Sequence, residues 1–177
     1  MSMWQEVCVF AAKLYMKFVF IIGFLFISMS AIAQLKGFSL GPFAEIATPT
    51  GDFKETHKNG YGAGLGADIR LGKIGLTGSV GYMQFGGKSI QVEGEQIKVA
   101  ALKAVPMRVG LKYRFVPAIY GKLESGVAKF TGGDESAFIF SPGIGIRILG
   151  LDVQAKYEIW KADQTYTFIG LKAGFNF

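Results

Sequence analysis

From about residue 37 to Phe177 the chain is written in period two, with apolar side chains at every second position through segments of roughly ten residues. Successive side chains of an extended strand point to opposite faces, so such a run makes a two-faced strand and a poor helix. On the last segment Phe177, Phe175, Ala173, Leu171 and Ile169 share one face, while Asn176, Gly174, Lys172 and Gly170 share the other. Tyr61, Ala63, Leu65, Ala67, Ile69 and Leu71 oppose Gly62, Gly64, Gly66, Asp68 and Arg70 in the same way. Val105, Met107, Val109, Leu111, Tyr113 and Phe115 oppose Arg108, Gly110, Lys112 and Arg114. The split recurs over residues 138–148 and 151–159, and less cleanly over 37–47, 74–85 and 118–130. Eight strands result, and no 3.6-period apolar stripe longer than two turns follows residue 33.

A strand with one greasy face and one small or charged face has two destinations. In a soluble sandwich or lipocalin-like barrel the greasy face turns inward. In an outer-membrane barrel it meets lipid, and the polar face lines the interior. Connection lengths separate the two. Gly72–Lys73, Val116–Pro117 and Leu149–Gly150 are short, whereas residues 48–60, 86–97, 131–137 and 161–165 make longer links. Short turns on one rim and longer loops on the other are what an even-stranded membrane barrel requires, and a soluble barrel has no reason to sort them. Strands of ~10 residues at ~3.3 Å rise and ~40° tilt span about 25 Å, the height of the outer-membrane apolar band. Tyr113, Phe115 and Phe177 fall near the turn rim, and Tyr61, Tyr82 and Phe138 near the loop rim, as interfacial girdles do.

The segment before the first strand is a targeting signal. Met16 and Lys17 precede about 12 mostly apolar residues and then Ala31-Ile32-Ala33, the small-x-small pattern of a secretory cleavage site. The run is shorter than the roughly 20 residues of a membrane-spanning helix. We therefore divide the chain into residues 1–33, an upstream extension and cleavable signal peptide with translation expected to start at Met16, and 34–177, one barrel domain. The single cysteine, Cys8, lies upstream, so the exported part has no disulfide framework, no cysteine metal site and no lipidation cysteine. Without Lys13, Lys17 and Glu6, the 19 basic and 13 acidic residues become 17 and 12. That modest excess is scattered with no Lys/Arg run, which argues against nucleic acid as a partner.

The signal peptide, the "GLKAGFNF" terminus, the "VPMRVGLKYRF" strand and the alternating connections together resemble the outer membrane protein beta-barrel domain family, whose architecture is that of the small OmpA/OmpX-type barrels. The resemblance covers residues 34–177. It implies an all-β, eight-stranded, antiparallel up-and-down transmembrane barrel in the bacterial outer membrane, surrounded by lipid and lipopolysaccharide. It also implies that the last strand, with Leu171, Phe175 and Phe177 on one face, is the signal read by the barrel-assembly machinery.

The inward register places Glu45, Asp68, Glu124, Asp152 and Glu158 opposite Arg70, Arg108, Lys112, Arg114, Lys122, Arg147, Lys156 and Lys172. An eight-stranded lumen is only wide enough for side chains to fill. Unpaired charges there are costly, so a cross-lumen network of ion pairs is expected, forming a polar plug. The alternative is a narrow gated pore favouring anions, since bases outnumber acids. Lys103 and Lys129 fall on the outward register near the loop rim, either as solvated lysines or as contacts for lipopolysaccharide phosphates. Pro42, Pro106 and Pro142 fall inside strands that have no free edge, so bulges are expected there.

Catalysis has little to stand on. Lipid A-modifying barrels pair a histidine with Ser or Asp. The only histidine, His57, sits in the longest loop beside Lys54, Glu55 and Lys58, where a solvated role is expected. The glycine-rich "GYGAGLGAD" alternates as a strand and opens no helix, so it fails as a phosphate loop. We therefore expect a non-enzymatic, monomeric barrel without metal or cofactor, structural or interactive through its loops.

Overall fold

In the computed structural model the described residues are 37–92 and 95–177. The upstream extension, the signal peptide and Ala31 and Ala33 lie outside them. The elements run β1 (Phe38–Thr50), α1 (Asp52–Thr56), β2 (His57–Leu71), β3 (Ile74–Gly87), β4 (Ser89–Val92), β5 (Glu95–Lys98), β6 (Leu102–Arg114), β7 (Ile119–Phe130), β8 (Ser136–Ile148), β9 (Leu151–Lys161) and β10 (Thr165–Phe175). Eight strands close a barrel in the order β1-β10-β9-β8-β7-β6-β3-β2, while β4 and β5 form a separate hairpin. Every pairing is antiparallel, which makes this the up-and-down barrel that the alternation called for.

Closure depends on the last strand. β10 pairs with β1 from Phe43 opposite Gly174 to Thr50 opposite Thr167. Beyond that ladder, Leu40 and Phe177 exchange backbone hydrogen bonds of 3.3 and 3.0 Å. At the same rim β8 and β9 are joined by Leu149 (φ 50°) and Gly150 (φ 87°), two left-handed residues in succession, and the Asn176 backbone N–H donates to the Gly150 carbonyl at 2.8 Å. That geometry matches the right-handed twist of the strands it links.

The three strand prolines do not form bulges. Leu40–Phe177 and Phe43–Gly174 belong to one register, so β1 passes Pro42 without a slip. The β3–β6 ladder skips Pro106 between Val80–Met107 and Met83–Ala104, and the β8–β9 ladder skips Pro142 between Phe140–Ile159 and Gly143–Lys156, each without a shift. On their other sides Pro106 faces Ala128 and Pro142 faces Leu123 in unbroken ladders. A proline lacks one donor, directed to one neighbour, so the ladder opens locally on that side and the strand need not insert a residue. The β2–β3 pair carries a register shift, between His57 and Gly60.

The greasy register faces outward. Leu65, Val80, Val109, Leu111, Leu123, Ile144, Ile146 and Leu171 are exposed around the staves, and Val109 keeps 65% of its accessible surface. The aromatic residues at both rims, Tyr113 and Phe115 on one, Tyr61, Tyr82 and Phe138 on the other, are exposed too. A contiguous apolar belt around a whole barrel has no place in water. Lipid is its solvent, and the barrel spans a membrane. Val109 lies near the middle of β6, so Val109→Lys is expected to cost about 2–4 kcal/mol in a bilayer. Urea unfolding of the barrel folded in lipid vesicles measures this, and an unchanged midpoint would mean that the belt does not touch lipid.

The staves are 11 to 15 residues long, more than the span of the apolar band requires. Toward the loop rim the staves enclose a second, apolar core.

Candidate functional site

The lumen side chains lie in three layers. Nearest the short turns, Asp68 of β2, Lys112 of β6, Arg147 of β8 and Asp152 of β9 converge. Lys112 Nζ lies 2.9 Å from Asp68 Oδ2 and 3.3 Å from Asp152 Oδ2. Arg147 donates through Nε to Asp152 Oδ2 at 2.7 Å and through Nη1 to Ser39 Oγ at 3.3 Å, while its Nη2 bonds Asp68. The Tyr120 hydroxyl donates to Asp152, and the Lys112 ammonium lies 4.2 Å from the Tyr120 ring centre. Two cations held by two carboxylates leave this layer neutral.

The middle layer is fully enclosed. Glu158 accepts hydrogen bonds from Arg108 Nε at 3.1 Å, Arg108 Nη2 at 2.7 Å, Ser141 Oγ at 3.2 Å and Trp160 Nε1 at 2.5 Å. Lys156 Nζ bridges Glu158 at 2.6 Å and Glu45 at 2.8 Å. Lys122 pairs with Glu124 at 3.0 Å and reaches Gln154 Oε1 at 3.5 Å. Lys172 makes no ion pair among the described residues, and its ammonium sits 3.7 Å over the Phe43 ring. Hydrogen bonds to a buried carboxylate and pairing with a buried cation are what let either stay ionised away from water.

Toward the loops the inward faces turn apolar, against the expectation of a lumen polar throughout. Met83, Phe85, Ile139, Trp160 and Phe168 are buried there with Ala47, Ala104, Ala128 and Ala137. Phe53, from the single turn of α1, closes the stack from above, 4.9 Å from Phe85 and 5.0 Å from Tyr166. Phe85–Phe168 and Trp160–Phe168 centroids are 5.1 and 5.4 Å apart, and the latter pair is edge-to-face. Gly60 makes the room, since a Cβ there would lie 2.6 Å from the Phe85 ring. These residues fill the inside of the barrel at its loop end, Met83 and Ile139 alternating with the outward-facing Tyr82 and Phe138, and α1 caps them.

His57 differs from its expected solvated role. It is 7% exposed, its ring is 4.7 Å from that of Phe53, and its Nδ1 lies 2.8 Å from Thr56 Oγ1. α1 folds over it, a packing that a loop reading does not reveal.

The remaining residues of interest lie at the rims. Arg70 is exposed and Arg114 half-buried at the turn rim, and neither forms an ion pair among the described residues. Lys103 and Lys129 are exposed on the outer face near the loop rim, on adjacent strands, with Lys129 opposite Val105. Leu171, Phe175 and Phe177 face outward on and just beyond β10, and the Phe175 and Phe177 rings are 5.0 Å apart. A groove of about 770 Å³ opens between α1, β2 and β3, lined by Lys54, Lys58, Lys88, Tyr61 and Tyr82.

Tyr120, Ser141 and Gln154 escaped the charge-based reading because they are neutral, although each occupies the inward register. Trp160 and Phe85 also occupy it, and their size was the available signal.

A closed, eight-stranded barrel with a lipid-facing apolar belt and a charged interior defines a class, the integral outer-membrane β-barrels. No protein-family model and no curated protein matches the sequence. Among solved structures, the Yersinia pestis outer membrane protein Ail in a phospholipid bilayer nanodisc is similar, with a TM-score of 0.54 and 17% identity over 77% of this chain and 99% of that one. A de novo designed transmembrane β-barrel is also similar, with a TM-score of 0.53 and 14% identity over 80% and 96%. Neisserial surface protein A aligns with a TM-score of 0.46 and 16% identity over 79% and 96%. The shared property is the fold of the small outer-membrane barrel.

Proposed function

We propose that this protein is a non-conducting, monomeric outer-membrane barrel that acts through its loop face, with no catalytic role. The observation that carries the reading is the stacking of the lumen: an aromatic stopper over a layer of buried ion pairs. Trp160, Phe85 and Phe168 have no accessible surface, and neither do the side chains of Arg108, Glu158 and Lys156. An ion crossing this path must shed water against a hydrocarbon layer and then displace paired charges, both steeply unfavourable. His57 is stacked under α1 with the Thr56 hydroxyl and the Ala100 backbone as its polar neighbours and no carboxylate bonded to it among the described residues, which gives no nucleophile–base–carboxylate arrangement.

On this reading the exposed surface above the membrane does the work. Lys103 and Lys129 stand level with the girdle and would meet lipopolysaccharide phosphates. The outward face of β10 ending in Phe177 would be recognised by the barrel-assembly machinery. Planar-bilayer recording of the purified barrel tests the lumen. No unitary conductance above background is expected in roughly 1 M salt, where exposed charges are screened within about 3 Å. A reproducible open channel would replace the plugged reading with the narrow pore.

A further inference from the structure

At the turn rim the lumen opens into a cationic vestibule, distinct from the stopper and the loop groove. A cavity of about 170 Å³ there is lined by Arg70, Lys73, Gly75, Asp68, Lys112 and Arg114, with Arg147 at its back. A neighbouring cavity of about 360 Å³ shares Arg70, Lys112, Arg114 and Arg147. Asp68 is the one carboxylate lining either cavity, and it is held by both Lys112 and Arg147. Those two cations are also satisfied by Asp152. The charge left over belongs to Arg70, Arg114 and Lys73, none of which has an ion-pair partner among the described residues.

The register brings these three together. Arg70 on β2 faces Gly75 on β3, and Gly75 faces Lys112 on β6. Arg114 follows Lys112 by two residues on the same face, and its backbone N–H donates to the Lys73 carbonyl at 2.8 Å. Gly75 lies between Arg70 and the β6 cations, and a Cβ there would come 3.1 Å from the Ile69 carbonyl oxygen and 3.9 Å from Lys112 Cβ. One water takes up ~30 Å³ in the liquid, so the smaller cavity has room for a tetrahedral oxyanion.

We infer that this vestibule is a binding site for a phosphate group presented from the side of the short turns, which in outer-membrane barrels is the periplasm. Guanidinium forks match the paired oxygens of phosphate, and a half-enclosed site weakens the competition from water. Uncompensated like charges at a mouth also repel one another, a repulsion that a bound dianion removes. The phosphate could be carried by a free solute or by a phospholipid headgroup of the inner leaflet. The site does not depend on whether the lumen conducts.

The test is isothermal titration of inorganic phosphate, at constant chloride, into the purified barrel in zwitterionic detergent, compared with the R70Q/R114Q variant. Heat-shifted gel mobility verifies that both are folded. Saturable binding that weakens by roughly tenfold or more in R70Q/R114Q, and is unchanged in K98Q/K161Q, two exposed lysines away from both cavities, is expected from the loss of two charge-assisted contacts. Repeating the titration in phosphatidylglycerol nanodiscs separates the sources. Undiminished phosphate binding there assigns a soluble ligand, and its loss through competition, absent in a detergent that carries no phosphate group, assigns the lipid headgroup. Equal affinities of the two proteins, or no saturable binding in detergent, would overturn the proposal.

Discussion

Replacing Glu158 by leucine is expected to destabilise the folded barrel by about 3–5 kcal/mol, the range for removing one partner of a buried, hydrogen-bonded charge pair. Four donors converge on this carboxylate: Arg108, Lys156, Ser141 and Trp160. Without it, Arg108 keeps only Glu45, at 3.9 Å, and Glu45 is already held by Lys156 at 2.8 Å. The excess cation cannot escape to water, because the side chains of Arg108 and Lys156 have no accessible surface. The matched double variant R108M/E158L removes both charges and leaves the Lys156–Glu45 pair intact. It is expected to recover most of the loss, since apolar side chains of similar volume replace a buried pair at little cost. Urea titration in lipid vesicles, read by the heat-shifted band, supplies both numbers. A double variant no more stable than E158L would show that the network is not what holds the middle of the barrel.

Trp160→Ala is the second large effect, at about 3–5 kcal/mol for truncating a large buried aromatic. The indole ring packs 5.4 Å from Phe168 and 6.1 Å from Phe85. Its N–H also donates to Glu158, so the side chain ties the apolar layer to the charged one. Trp160→Phe keeps much of the packing and loses that donor, and an intermediate loss of about 1.5–3 kcal/mol is expected from one hydrogen bond to a charged acceptor. The same urea titration measures it. Equal losses in the two variants would place the whole effect in the hydrogen bond and none in the ring.

The membrane-facing half of the molecule was open to reading from the chain. A strand has a period of two whatever it packs against, and lipid imposes one requirement, apolarity, on every outward position. Val105, Val109 and Leu111 therefore declared their face, and the sorted turn and loop lengths chose the barrel over the sandwich. The inward register likewise placed Arg108, Lys122, Lys156 and Glu158 inside. Residues between Asp52 and Thr56 were legible only as a loop, because a helix of one turn has no periodicity to detect and is held by packing. The same is true of His57, which Phe53 covers.

Pairing could not be read in this way. Arg108 and Glu158 are fifty residues apart, on strands that are not neighbours in the barrel, and they meet only across the lumen. Charge alone also did not distinguish Lys156, bridging two carboxylates, from Lys172, resting on an aromatic ring, or from Arg114, left at the mouth. What the sequence determined by itself was the number of barrel strands, their sidedness and the outward face's solvent, because these follow from local alternation and the uniform demand of lipid. The β4–β5 hairpin, by contrast, was legible only as the long link of residues 86–97. What only the tertiary structure decided was the layering of the interior. Stagger and closure set which inward residues share a level, and that level determines whether a side chain joins the stopper, the ion-pair network or the open vestibule.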